Sequence, residues 1–318
     1  MKVVIPGGTG QVGTVLARAF HADGHDVVVL GRHPKNEPWR FIGWDGETIG
    51  EWAGEIHGAD VVINLAGRSV NCRYHEENRR QMMDSRVNST RVVGEAIAKA
   101  VSPPKVWLQA STATIYAHRF DAPNDDVAGI IGGHERDAPD TWNFSIDVAT
   151  SWEGVTNEAA TLRTRKVLMR SAMIMSPDRD GIFDTLLWLV RLGLGGTAAS
   201  GKQYISWIHE TDFIRSVYWL IEHEELSGPI NLASPNPLPN KDFMRVLREA
   251  YGMPFGLPAF EWQLAIGALL MQTETELILK SRRVVPKLLT DSGFEFEFPK
   301  WKTAAEDLVS RWRKLRTN

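Results

Sequence analysis

Short apolar runs alternate with longer amphipathic stretches through the first half of the chain. Residues 3–5, 27–30, 61–64, 106–110 and 167–174 are brief, rich in Val, Ile and Leu, and bounded by polar or glycine residues, as strands buried on both faces are. The stretches between them fit helices. The longest, about 76–100, sets Met82, Val87, Val92, Val93, Ala96 and Ile97 near helical period among charges, and Pro103-Pro104 closes it. Strands alternating with helices predict a parallel sheet covered by helices on both faces. After Pro177 the alternation breaks down. Residues 193–201 read as a glycine-rich loop, Asp212 is placed to cap a helix over 213–223 with Phe213, Val217, Leu220 and Ile221 on its apolar face, and 235–239 form a turn before a helix over 242–251. The division expected is 1–175 for the sheet domain and 176–318 for a smaller, mainly helical lobe. No repeat or low-complexity linker separates them.

The turn after the first apolar run carries the most specific chemistry. Ile5-Pro6-Gly7-Gly8-Thr9-Gly10-Gln11-Val12-Gly13 joins a strand to a helix. Glycines at 7, 10 and 13 permit a tight turn, close approach of a ligand, and a helix lying flat on the strand. The pyrophosphate of a dinucleotide then rests on free N–H groups at the positive end of that helix. The fold class expected is therefore α/β, a doubly wound parallel sheet of the Rossmann type. The second run ends at Gly31-Arg32-His33, where an NAD site usually carries a carboxylate for the ribose 2′-OH. No acid stands there. Gly31 leaves room for a 2′-phosphate, Arg32 offers it a planar bidentate guanidinium, and Lys35 adds a second cation, so NADP(H) is expected over NAD. Pro6 removes one donor N–H beside the phosphate turn.

Composition narrows the partners. A chain of 318 residues, 43% hydrophobic, has ample material for a large core, while a net charge of −3 gives no general field for nucleic acid or anionic lipid. A small-molecule substrate is expected instead. Cys72 is the only cysteine, which excludes an intramolecular disulfide and a cysteine-based zinc site. The most apolar late stretch, 262–271, is well short of the roughly 20 residues that span a bilayer. The first run starts almost at Met1 with no room for a signal peptide before it, so a cytoplasmic location is expected.

Two further stretches carry a resemblance. Asp60-Val61-Val62-Ile63-Asn64-Leu65-Ala66-Gly67 resembles the fourth-strand motif of extended short-chain dehydrogenase/reductases, and Ser111-Thr112-Ala113-Thr114-Ile115-Tyr116 resembles the active-site strand end of their sugar-nucleotide epimerases. Arg191-Leu192-Gly193-Leu194-Gly195-Gly196, Ser200-Gly201-Lys202-Gln203, Ser206-Trp207-Ile208-His209 and Asn231-Leu232-Ala233-Ser234-Pro235-Asn236-Pro237 are similar to the atypical "epimerase family" branch. Arg283-Val284-Val285-Pro286-Lys287-Leu288-Leu289 through Gly293-Phe294 resembles that branch's C-terminal module, here 262–318. The resemblance implies cofactor contacts at Gly7, Thr9, Gly10, Gln11, Val12, Gly13, Gly31, Arg32, Leu65, Ala66 and Gly67. It also implies that Arg86 faces the phosphates and that Ile174 meets the nicotinamide end through its backbone. As sequence features alone, Arg86 reads equally as a solvated helix charge and Ile174 as a buried strand residue.

The family's tyrosine–lysine pair, which moves a proton at the substrate oxygen, is missing. The five tyrosines are followed four residues later by Asn78, Phe120, Ile208, Glu222 and Phe255, and the usual position of the pair holds Phe144-Ser145 and Val148-Ala149. By the resemblance, Thr112 aligns with the residue that hydrogen-bonds the substrate oxygen, and Tyr116 lies four residues beyond, within reach of the same pocket. Thr112 reads equally as an ordinary strand residue and Tyr116 as a pocket wall. His209 and Asp212 resemble a catalytic couple but fit a structural role better. Two functions follow: an NADP(H)-dependent oxidoreductase or epimerase, or an NADP(H)-binding regulator without turnover.

Overall fold

The computed structural model describes residues 1–135, 138–270 and 272–317. The first half runs β1 (Lys2–Pro6), α1 (Gln11–Ala22), β2 (Asp26–Gly31), β3 (Arg40–Gly43), β4 (Val61–Asn64), α2 (Glu76–Lys99), β5 (Val106–Thr112), α3 (Asp140–Glu158) and β6 (Arg165–Ser171). It continues with β7 (Met173–Met175), α4 (Ile182–Arg191), β8 (Tyr204–Ile205), β9 (Trp207–His209), α5 (Glu210–Glu222), β10 (Gly228–Leu232), β11 (Leu238–Pro239) and α6 (Asn240–Tyr251). The last elements are α7 (Glu261–Leu270), α8 (Glu276–Leu279), α9 (Lys287–Asp291) and α10 (Trp301–Thr317).

Seven parallel strands form one sheet in the order β10-β6-β5-β4-β1-β2-β3. Side chains alternate across it. Val3, Ile5, Val27, Val29, Ile63 and Leu108 enter a core with Leu16 and Phe20 of α1 and Phe213 and Val217 of α5, while Val4, Val28, Val62 and Trp107 enter a second core with Val92, Val93 and Ile97 of α2. A strand residue shifts face with every step, so a continuous apolar run serves both layers. The chain leaves β1 in one direction for β2 and β3 and returns on the other side for β4. This reversal opens a crevice at the carboxyl ends of β1 and β4.

The lobe has its own core, in which Phe243 stacks on Trp301 at 4.1 Å and Trp207 meets Trp301 at 4.9 Å. Three details depart from the expectations above. The run 167–174 is two strands, because the chain changes sheets at Ala172 and Ile174 pairs with Ile208 of β9. The second half returns β10 to the main sheet beside β6, so a cut at 175 would strip the sheet of an edge strand. The cap of α5 is His209, whose Nδ1 accepts from the Thr211 amide at 3.1 Å. Asp212 instead lies inside the first turn, where its carboxylate accepts the amides of Glu297 and Phe298, both at 2.8 Å. The apolar stretch 262–271 forms α7 as far as Leu270, its last residue lying outside the described ones, and no described helix is long and apolar enough to cross a membrane.

Candidate functional site

The glycine turn is shaped by backbone crowding on two sides and by space on the third. A Cβ on Gly7 would lie 2.6 Å from the Ala66 backbone, and one on Gly13 would lie 2.4 Å from Gly8 Cα. Gly7 also has φ +77, a conformation that favours glycine. At Gly10, by contrast, the nearest atom is Gly7 O at 3.6 Å, so the backbone faces open space. Among the described residues the amides of Gln11, Val12 and Gly13 have no protein acceptor, and no acidic residue stands in the first turn of α1. Buried Gln11 Nε2 has no hydrogen-bond partner among the described residues. This is a donor-rich, acid-free cradle suited to a pyrophosphate.

Arg86 supports the same reading from the other wall. Arg86 is only 9% exposed, and its guanidinium lies 5.0 Å over the Trp152 ring and donates to Met82 O at 3.0 Å. Gly67 has no side chain because Arg86 passes beneath it, with Cγ 3.2 Å from where a Cβ would stand. No carboxylate lies within ion-pair distance of it among the described residues. Burial pulls its pKa down to about 10. Of the two sequence readings, a solvated helix charge is thereby removed. A buried cation with no counter-charge fits an anionic ligand that supplies one.

At the end of β2, Arg32 is exposed and makes no protein ion pair among the described residues. The space at Gly31 is not vacant: a Cβ there would lie 2.9 Å from Thr9 Cγ2, so glycine is needed to seat Thr9. Leu65 and Ala66 follow β4, with the Leu65 amide donating to Pro6 O at 2.8 Å, which draws the two strand ends together. Ile174 is half-buried in β7.

Thr112 closes β5 half-exposed, and its Oγ accepts the Thr114 amide at 3.1 Å, leaving the hydroxyl proton uncommitted. Tyr116 differs from the proton carrier the spacing suggests. The intervening 3-10 turn over Ala113–Ile115 sends its ring inward, where it is 2% exposed. Its phenol donates to Asn231 Oδ1 at 2.9 Å and accepts from Arg170 at 3.0 Å. Burial raises its pKa, with Arg170 opposing. Arg170 is held in turn by Glu153, which also accepts from Ser111 at 2.5 Å. The phenol's one proton is therefore spent inside a network that ties β5, α3, β6 and β10 together.

A polar cluster that sequence reasoning missed lies at the position of the absent pair. Ser145 Oγ, on α3, donates to Glu276 Oε2 at 2.5 Å. Lys280 Nζ donates to Thr114 O at 2.9 Å, and Arg282 Nε donates to Thr114 Oγ at 3.1 Å. Burial raises the Glu276 pKa, lowers that of Lys280 to about 8, and pushes that of neighbouring Tyr74 up to about 12. The only legible signal was Ser145 itself; its partners come from the C-terminal module.

A parallel sheet with this crevice, cradle and buried cation defines a dinucleotide-binding α/β protein of the extended short-chain dehydrogenase/reductase type. Comparison with known proteins makes that specific: residues 3–233 match the NAD dependent epimerase/dehydratase family and residues 259–308 match the domain of unknown function DUF1731. The chain belongs to this epimerase family, in its atypical branch. An epimerase family protein of Staphylococcus epidermidis is 32% identical over 311 residues, 97% of this chain and 99% of its own. The epimerase family protein YfhF of Bacillus subtilis is 28% identical over 315 residues, covering 98% of each. The crystal structure of human epimerase family protein SDR39U1 with NADPH shares the fold at a TM-score of 0.84, with 27% identity over 98% of this chain and 99% of that one.

Proposed function

We propose that the protein binds NADP(H) and transfers a hydride to or from a small carbonyl, alcohol or sugar-nucleotide-like substrate, as an oxidoreductase or epimerase. The observation that carries the cofactor is the buried Arg86 against Gly67, with no ion-pair partner among the described residues, together with the open backbone at Gly10. Arg32 and Lys35, with no acid at the end of β2, support the phosphorylated form, as does the NADPH in the human relative. In this reading Gly7, Thr9, Gly10, Gln11, Val12 and Gly13 hold the pyrophosphate, Arg32 the 2′-phosphate, and Leu65, Ala66, Gly67 and Ile174 line the path to the nicotinamide. The cofactor supplies the hydride; Thr112, with its free hydroxyl proton, is the hydrogen-bond donor to the substrate oxygen.

Calorimetric titration with NADPH and NADH tests the first half: NADPH should bind more tightly, and equal affinity would overturn the assignment. Screening carbonyl compounds and nucleotide sugars for NADPH oxidation or epimer formation tests the second, with Thr112→Val lowering the rate of any hit. The closed network around Tyr116 favours a second reading, an NADP(H)-sensing regulator. Tight NADPH binding without turnover across the panel would select it.

A further inference from the structure

We infer that the proton in this reaction is carried by a relay from Ser145 on α3 to Glu276 of the C-terminal module, in place of the missing tyrosine–lysine pair. The inference rests on the oxidoreductase reading. Ser145 is half-exposed, with Phe144 at the position where the resemblance places the family's proton-carrying tyrosine, and its hydroxyl donates to Glu276 while the Tyr74 phenol also bonds to it. Glu276 is 1% exposed, and its second oxygen, Oε1, has no hydrogen-bond partner among the described residues. The nearest cation, Arg282, stands 3.7 Å away, outside hydrogen-bond reach. Buried carboxylate oxygens are almost always hydrogen-bonded, and Glu276 Oε1 is an exception, as is Glu210 Oε2, which belongs to a carboxylate paired with Arg311. Glu276 differs in that its bonded oxygen faces a half-exposed serine hydroxyl, from which it can take a proton.

The surroundings serve both states. Burial and Glu274 favour the acid, while Arg282, the Ser145 hydrogen bond and Lys280 favour the carboxylate. Tyr74, from the loop between β4 and α2, faces the same group and is held protonated by burial and by Glu276 itself. For alcohol oxidation, the substrate O–H proton passes to Ser145 Oγ as the serine's own proton passes to Glu276 Oε2. The electron pair freed from the O–H bond forms the carbonyl as the carbon gives up its hydride, which a bound oxidised nicotinamide would accept. Reduction runs the same transfers backwards. Glu276 acts only through Ser145, and Lys280 and Arg282 fix the end of β5 by holding Thr114.

Two measurements test this. On the apo protein, an infrared difference titration of wild type against Glu276→Gln reads the carboxylic-acid carbonyl directly. We expect a protonated band that persists above the ordinary carboxylate range and moves in midpoint in Ser145→Ala. A Glu276 ionised throughout, or a midpoint indifferent to Ser145, overturns the relay. On any substrate from the screen, Ser145→Ala and Glu276→Gln should each lower turnover by about 10²- to 10⁴-fold, the usual range for losing a general acid–base group, with NADPH affinity unchanged. Glu276→Gln should also abolish the acid limb of the oxidation rate, which a packing role would not do. Turnover that survives both changes but falls in Thr112→Val overturns the relay alone. Absence of turnover in wild type overturns the oxidoreductase reading and the relay with it.

Discussion

Arg86 and Arg32 are both read as cofactor cations, yet their surroundings predict opposite costs of removal. Arg86 is desolvated with no counter-charge among the described residues, so the folded apo protein bears a penalty that a bound anion would relieve. Arg86→Met keeps the length of the side chain along Gly67 and over Trp152 while removing that charge. We expect the apo unfolding midpoint in urea to stay level or rise, and NADPH affinity to fall by about 1.5–3 kcal/mol, the range for a hydrogen bond to a charged group. Lost stability with retained affinity would make Arg86 a structural residue. Arg32 is exposed, so Arg32→Ala should leave stability untouched, cost a similar amount of NADPH binding, and spare NADH. Equal losses with both cofactors would show that Arg32 does not read the 2′-phosphate.

At the scale of elements, the strand–turn–helix head separates two kinds of glycine. Gly13 exists so that α1 can lie on the turn: a Cβ there, 2.4 Å from Gly8 Cα, must push helix from strand, and Gly13→Ala should lose about 1–3 kcal/mol of stability. Gly10 has ordinary helix-entry angles and nothing closer than 3.6 Å, so Gly10→Val should fold normally, by circular dichroism, and lose the dinucleotide. Binding by folded Gly10→Val would move the site elsewhere. These elements were legible because they answer to local rules, apolar run length for β1, β2, β4 and β5, period for α2, and backbone freedom for the turn. What was not legible depends on contacts distant in sequence. β10 joins the sheet only because β6 offers an edge, and nothing in Gly228–Leu232 names that partner. The four-residue spacing from Thr112 to Tyr116 does not show that a 3-10 turn swings the phenol inward. Ser145 and Glu276 are 131 residues apart, so the pair exists only in the fold.

In the whole molecule, the last 60 or so residues are fastened to the rest by buried polar ties rather than appended to it. Asp126 accepts the amides of Asn231 in β10 and Leu288 in α9, both at 3.0 Å, and Asp212 holds the chain at Glu297 and Phe298. His209 completes the set, stacked on Phe298 at 3.9 Å with Nε2 3.1 Å from Asp307 of α10. Burial lowers its pKa to about 4 against an ordinary 6.5, outweighing Asp307, while Arg311 lowers it further. The imidazole is therefore neutral when folded. As pH falls below 6.5, the unfolded chain takes up a proton that the folded one refuses until about pH 4, so stability drains away across that window. Replacing the ring with an amide removes the titration but keeps a donor toward Asp307. Urea unfolding midpoints for His209→Gln should fall less than wild type between those two pH values, even though its stability at neutral pH is lower for want of the stacked ring. Parallel acid profiles would place the acid sensitivity in other groups and leave His209 as packing alone.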